Sequence, residues 1–92
     1  MKKSKAVITV IGKDMVGIVA KVSALCAAKK ANITEVTQSV LEDVFAMIML
    51  IDITNMEAPL SELTDEMNKL EEEIGVKVHV MHESVFDSMH RV

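Results

Sequence analysis

Residues 44–54 read VFAMIMLIDIT. Phe45, Met47, Met49 and Ile51 fall on one parity of this run, and Val44, Ala46, Ile48 and Leu50 on the other. Successive side chains of a strand point to opposite faces, so a run apolar on both parities is a strand covered on both sides. The run KAVITVIG at 5–12 has the same character, with Ala6, Ile8 and Val10 on one side and Val7 and Ile11 on the other. Two such strands belong in the middle of a sheet.

Working outward, ITEVTQSVL at 33–41 is strand-like but mixed in pattern, which suits an edge. Glu42 and Asp43 join it to the run at 44–54 as a tight hairpin. Val76, Val78 and Val80 alternate with Lys77 and His79, the mark of a half-buried fourth strand. Helical spacing fills the gaps. From Val16 to Lys30, Ile18, Val22 and Leu25 recur with Val19 and Cys26. Lys29 and Lys30 are placed in the last turn, and Asn32 as a left-handed stop. Pro59 opens a second helix whose stripe is Leu60, Leu63, Met67, Leu70 and Ile74, ended by Gly75. Val85, Phe86 and Met89 predict a short amphipathic tail helix at about residues 84–91.

The element order is strand, helix, strand, strand, helix, strand. Right-handed crossovers turn that order into an α+β, ferredoxin-like βαββαβ sandwich. Its antiparallel sheet has the order 4-1-3-2, with two helices on one face. The two-sided apolar runs then occupy the central positions and the mixed runs the edges. Strands one and three also make the helix-free face apolar, so a second subunit or the tail must cover it.

Composition narrows the function. The 92 residues make a single domain spanning 1–92, and half of them are hydrophobic. So small a body buries only about two-thirds of its unfolded surface, which predicts a homo-oligomer. The net charge of −4, the absence of Trp and Tyr and the lack of a basic stripe argue against nucleic acid. The longest apolar run, Val44 to Ile51, is too short to span a bilayer, which needs roughly 20 residues. Lys13 and Asp14 cut the apolar start at about the lower length limit of a secretory signal's apolar region. Cys26 is the single cysteine, so no intrachain disulfide forms, in keeping with a cytoplasmic location.

Little in the chain suggests catalysis, and the reading names no catalytic residue, cofactor or metal ligand. Gly12 and Gly17 have phosphate-loop spacing, but Ile18 and Val19 follow instead of Lys and Ser or Thr. His79 and His82 lie three apart on a strand and face opposite sides, with no cysteine near them. Cys26 sits among Ala24, Leu25, Ala27 and Ala28 as a small buried hydrophobe. Glu71 to Glu73 read as a solvated acidic face in a turn where the helix dipole disfavours them. Arg91 is the only arginine, and no Ser, His or Cys is spaced to pair a nucleophile with a base.

Two short stretches carry a family resemblance. Gly12-Lys-Asp-Met-Val-Gly-Ile-Val19 and Ala31-Asn-Ile33 resemble the ACT domain, with its strand, D-x-P-G-I/V loop, first helix and N-I pair opening strand two. Val16 stands where the pattern often has Pro. The resemblance spans nearly the whole chain and is nearest to stand-alone proteins related to the glycine-cleavage repressor group. It implies a regulatory module that binds a small molecule, an amino acid, between two copies. Backbone N–H groups of Asp14, Met15, Val16, Gly17 and Ile18 would hold a carboxylate, with Asn32 and Ile33 across the interface. A helix N-terminus turns N–H groups and positive potential toward an anion. Asp14 is either a ligand contact or a cap of the first helix, and Gly17 either a ligand approach or a packing glycine. The alternative function is a ligand-free module that docks onto a metabolic enzyme or regulator.

Overall fold

The computed structural model describes residues 4–13 and 15–85, with Met15 described by its backbone alone. The elements are β1 (Lys5–Gly12), α1 (Met15–Ala28), β2 (Asn32–Leu41), β3 (Val44–Asp52), α2 (Leu60–Ile74) and β4 (Lys77–His82). They form one antiparallel sheet in the order β2-β3-β1-β4. This is the expected ferredoxin-like arrangement, and the two runs apolar on both parities are its central strands.

The core lies between the sheet and the helices. Ala6, Ile8 and Val10 of β1 and Phe45, Met47, Met49 and Ile51 of β3 are all buried. They meet Ile18, Val22 and Cys26 of α1 and Leu63, Met67 and Leu70 of α2. Each large side chain here contributes about 1.5–3 kcal/mol by leaving water. The helix-free face is unevenly covered: Val7 is buried, while Ile11 and Ile48 are close to half exposed.

Helix ends are set by different means. Gly75 closes α2 at φ 69, its N–H donating to the Glu71 carbonyl at 2.9 Å. Pro59 precedes α2 as the N-cap residue, and its carbonyl accepts the Glu62 N–H at 3.0 Å. The expected close of α1 needs correction. The helix stops at Ala28, so Lys29 and Lys30 lie just beyond its last turn, and Lys30, not Asn32, is left-handed at φ 63. The reason is a paired closure: Ala31 N–H donates to the Cys26 carbonyl at 2.9 Å and Lys30 N–H to the Ala27 carbonyl at 3.1 Å. That bonding pattern demands a left-handed residue at position 30 whatever its type.

A second correction concerns Glu71 to Glu73. Glu71 Oε2 accepts the Val78 N–H at 2.7 Å, and Glu73 pairs with Lys21 at 3.1 Å. The acidic run is therefore partly engaged, tying α2 to β4 and to α1. Of the expected tail helix at about 84–91, Val85 is half exposed, and Phe86 and Met89 lie outside the described residues.

Candidate functional site

The loop between β1 and α1 is built by close packing at Gly12. A Cβ on Gly12 would lie 2.5 Å from Val76 Cγ1 and 2.7 Å from Ile18 Cδ1. The missing side chain lets the end of β1, the start of α1 and the entry to β4 converge. Sequence reasoning gave weight to Gly17 and passed over this role of Gly12. A glycine at the last position of a strand, just before a helix, was the signal available.

From there the chain passes through Lys13 into α1. Asp14 lies outside the described residues, and of Met15 only the backbone is described. Val16 is 75% exposed, Gly17 is half-buried and already engaged by another group, and Ile18 is fully buried. Ile18 therefore belongs to the core by its side chain and offers only its backbone to a site. Beside this turn a shallow hollow of about 420 Å³ is lined by Ile11, Gly12, Lys13, Val44, Ile74 and Gly75. Lys13 lies 3.8 Å from Asp43, with both side chains mostly in water. It is a cation at the mouth of the loop that sequence reasoning did not select.

Asn32 and Ile33 are far from this turn in the same copy. Gly12 pairs in register with Phe45, whereas Asn32 pairs with Asp52, which pairs with Lys5. The two clusters thus sit at opposite ends of the sheet. Seven residues of strand separate those ends, about 24 Å. One copy cannot bring Asn32 to the first turn of α1. Both Asn32 and Ile33 are exposed on the edge strand β2, where a neighbour can reach them.

Other chemistry-bearing groups are held in structural roles. His82 accepts the Ser84 N–H through Nδ1 at 3.1 Å, and its Nε2 meets Ser4 Oγ at 3.1 Å. Because Nδ1 is the acceptor, Nε2 carries the proton and donates to Ser4. His79 points to the helix-free face, in register with Thr9. No three His, Cys, Asp or Glu side chains converge among the described residues. The Cys26 thiol is buried, and loss of solvation pushes its pKa up to about 11, so it is protonated at neutral pH. No helix among the described residues is long and apolar enough to cross a membrane.

Comparison with known proteins agrees with this fold. Residues 4–81 match the ACT domain family. A UPF0237 protein of Methanococcus maripaludis is 49% identical, covering 94% of this chain and 96% of its own length. One from Methanocaldococcus jannaschii is 45% identical over 97% of this chain and 99% of its own. The solved ACT domain protein from Streptococcus pneumoniae is 31% identical, with a TM-score of 0.79 over 94% of this chain and 97% of its own. A protein described as a glycine cleavage system transcriptional repressor, 20% identical, shares the fold at a TM-score of 0.73, covering 89% of this chain and 47% of its own. The chain belongs to the ACT domain family, whose members are regulatory ligand-binding modules rather than catalysts.

Proposed function

We propose that this protein is a single-domain cytoplasmic regulatory module that senses an amino acid at an interface between two copies, with no catalytic step of its own. The observation that carries this reading is the loop between β1 and α1, whose Gly12 and Lys13 line an apolar hollow just before the helix begins. The ligand carboxylate would rest on the backbone near Val16 to Ile18, where the positive end of the helix dipole favours an anion. Its amine would reach Asp14 of the same copy or Asn32 of the neighbour. Ile33 would flank the site from the same neighbouring strand. The ligand would bias how the dimer engages the protein it controls, which makes the output allosteric.

The experiment is a thermal-shift panel of the common amino acids at millimolar concentration. A ligand that binds only the folded state adds about 2.7 kcal/mol at a hundredfold excess over Kd. Each kcal/mol moves the midpoint of so small a domain by roughly 4–8 °C. One amino acid should therefore raise the midpoint by ten degrees or more, and Asp14→Ala and Gly17→Val should reduce that shift. Silence from the whole panel would favour the alternative, a ligand-free module docking onto an enzyme or regulator. A shift that survives both substitutions would move the site elsewhere in the chain.

A further inference from the structure

Val7, Thr9 and Ile11 of β1 lie in a row on the helix-free face, and their exposure changes along it. Val7 is 3% exposed, whereas Ile11 is 46% exposed. Both stand between β3 and β4: Val7 is in register with Leu50 and Met81, and Ile11 with Ala46 and Lys77. Leu50 and Met81 are themselves only half-buried, and α1 and α2 pack against the opposite face. Something beyond the flanking strands therefore shields Val7. The shielded end is where β4 finishes, since Met81 and His82 stand beside Val7 and Ala6. Glu83 to Val85 then turn as helix. His82 caps that turn: its Nδ1 accepts the Ser84 N–H at 3.1 Å, as an N-cap side chain does for one of the first unpaired donors of a helix. Its Nε2 meets Ser4 Oγ at 3.1 Å, which anchors the cap beside the start of β1.

We propose that residues 83–92 form one short helix that folds back as a strap across the helix-free face of its own copy, with Phe86 and Met89 laid over Val7. A single turn is unstable by itself, so the helix that His82 caps has to continue beyond Val85. On such a helix Val85, Phe86, Met89 and Val92 share one arc, and Asp87 and Arg91 share the opposite one. Its residues make a rod about 15 Å long, and crossing from β4 over β1 to β3 takes about 10 Å. The rod is about 10 Å wide with its side chains, so over Val7 it does not extend to Ile11, about 13 Å further along β1. That is the gradient of exposure seen on the face. Val7 is shielded within a single chain, so the cover is intramolecular. Residues 1–3, Met-Lys-Lys, offer one apolar side chain and are the poorer cover. The strap leaves Ile11, Val44 and Ile48 open, and only that half of the face is free for a partner.

Nuclear Overhauser spectra of the full chain, without any amino acid present, test the strap directly. The Val7 methyl protons should show cross-peaks to the Phe86 ring and to the Met89 methyl group. In a mixture of labelled and unlabelled protein, filtered for contacts between copies, those peaks should vanish. Phe86→Ser/Met89→Ser should lower the melting midpoint by roughly 5–10 °C. Asp87→Ser/Arg91→Ser, on the arc turned to water, should leave it unchanged. His82→Ala should weaken the Val7 peaks, and His82→Asn, which supplies a capping oxygen, should bring them back. Absence of the Val7 peaks from the wild type overturns the strap. Peaks that persist through the filter also overturn it, by assigning the cover to a second copy. Equal melting of the two double variants would do the same.

Discussion

Gly12 faces Val76 so closely that a methyl group on the glycine would stand 2.5 Å from Val76 Cγ1. The neighbour is a buried β-branched side chain entering β4, with few rotamers into which it can retreat. Gly12→Ala should therefore destabilise the fold by about 1–3 kcal/mol, the usual cost of overfilling a packed site. Val76→Ala, tested alone, should also lose stability by opening a gap. The double variant should lose clearly less than the sum, because each change relieves the other. Denaturant melts that simply add would show that the crowding is relieved elsewhere.

Lys30 holds a left-handed backbone at φ 63, a conformation that costs an L side chain roughly 1–2 kcal/mol. Glycine adopts it freely but surrenders about 0.5–1 kcal/mol of chain entropy on folding. Lys30→Gly should accordingly stabilise the monomeric fold by up to about 1 kcal/mol. The ion pair lost with it, Lys30 to Glu57 at 3.8 Å, is largely in water and contributes little. A lowered melting midpoint for Lys30→Gly would contradict this account.

Burial raises the Cys26 pKa from 9.0 to about 11. The unfolded chain then loses its thiol proton at lower pH than the folded one. Stability due to the neutral thiol is intact below pH 9 and drains away as the pH climbs toward 11. The linkage amounts to about 2–3 kcal/mol over that interval. Urea melts between pH 8 and 11 should show a steeper alkaline decline for the wild type than for Cys26→Ala. Parallel declines would show that the Cys26 thiol is not the group responsible. A thiol reagent at neutral pH should also react only as fast as the core opens.

Sequence and structure agree best where one residue's environment follows from its near neighbours. The two-sided apolar runs identified β1 and β3 as central because a strand's faces are written in its own alternation. Gly75 was legible because the left-handed turn and the residue type coincide. Lys30 was not, since the bonds from Ala31 and Lys30 back to Cys26 and Ala27 impose the conformation on a residue that does not prefer it. Glu71 was read as solvated because its partner, Val78, lies beyond the turn, and only the meeting of α2 with β4 brings them together. Residues 15–18 open α1, but linear spacing hid the fact that Asn32 belongs to the far end of the sheet. Gly12 went unweighted for a similar reason: Val76 approaches it from the entry to β4, 64 positions away in the chain.

The placement of Asn32 and the first turn of α1 at opposite sheet ends has a consequence for dosage. No single amino acid spans that distance within one copy, so a ligand needing both ends must find two chains together. Its apparent affinity would then fall as the protein is diluted, and the ligand in turn would draw scattered chains into pairs. A cell carrying few copies would respond sluggishly to a metabolite level that saturates a cell carrying many. The signal would be a joint count of metabolite and messenger, set as much by expression as by nutrition.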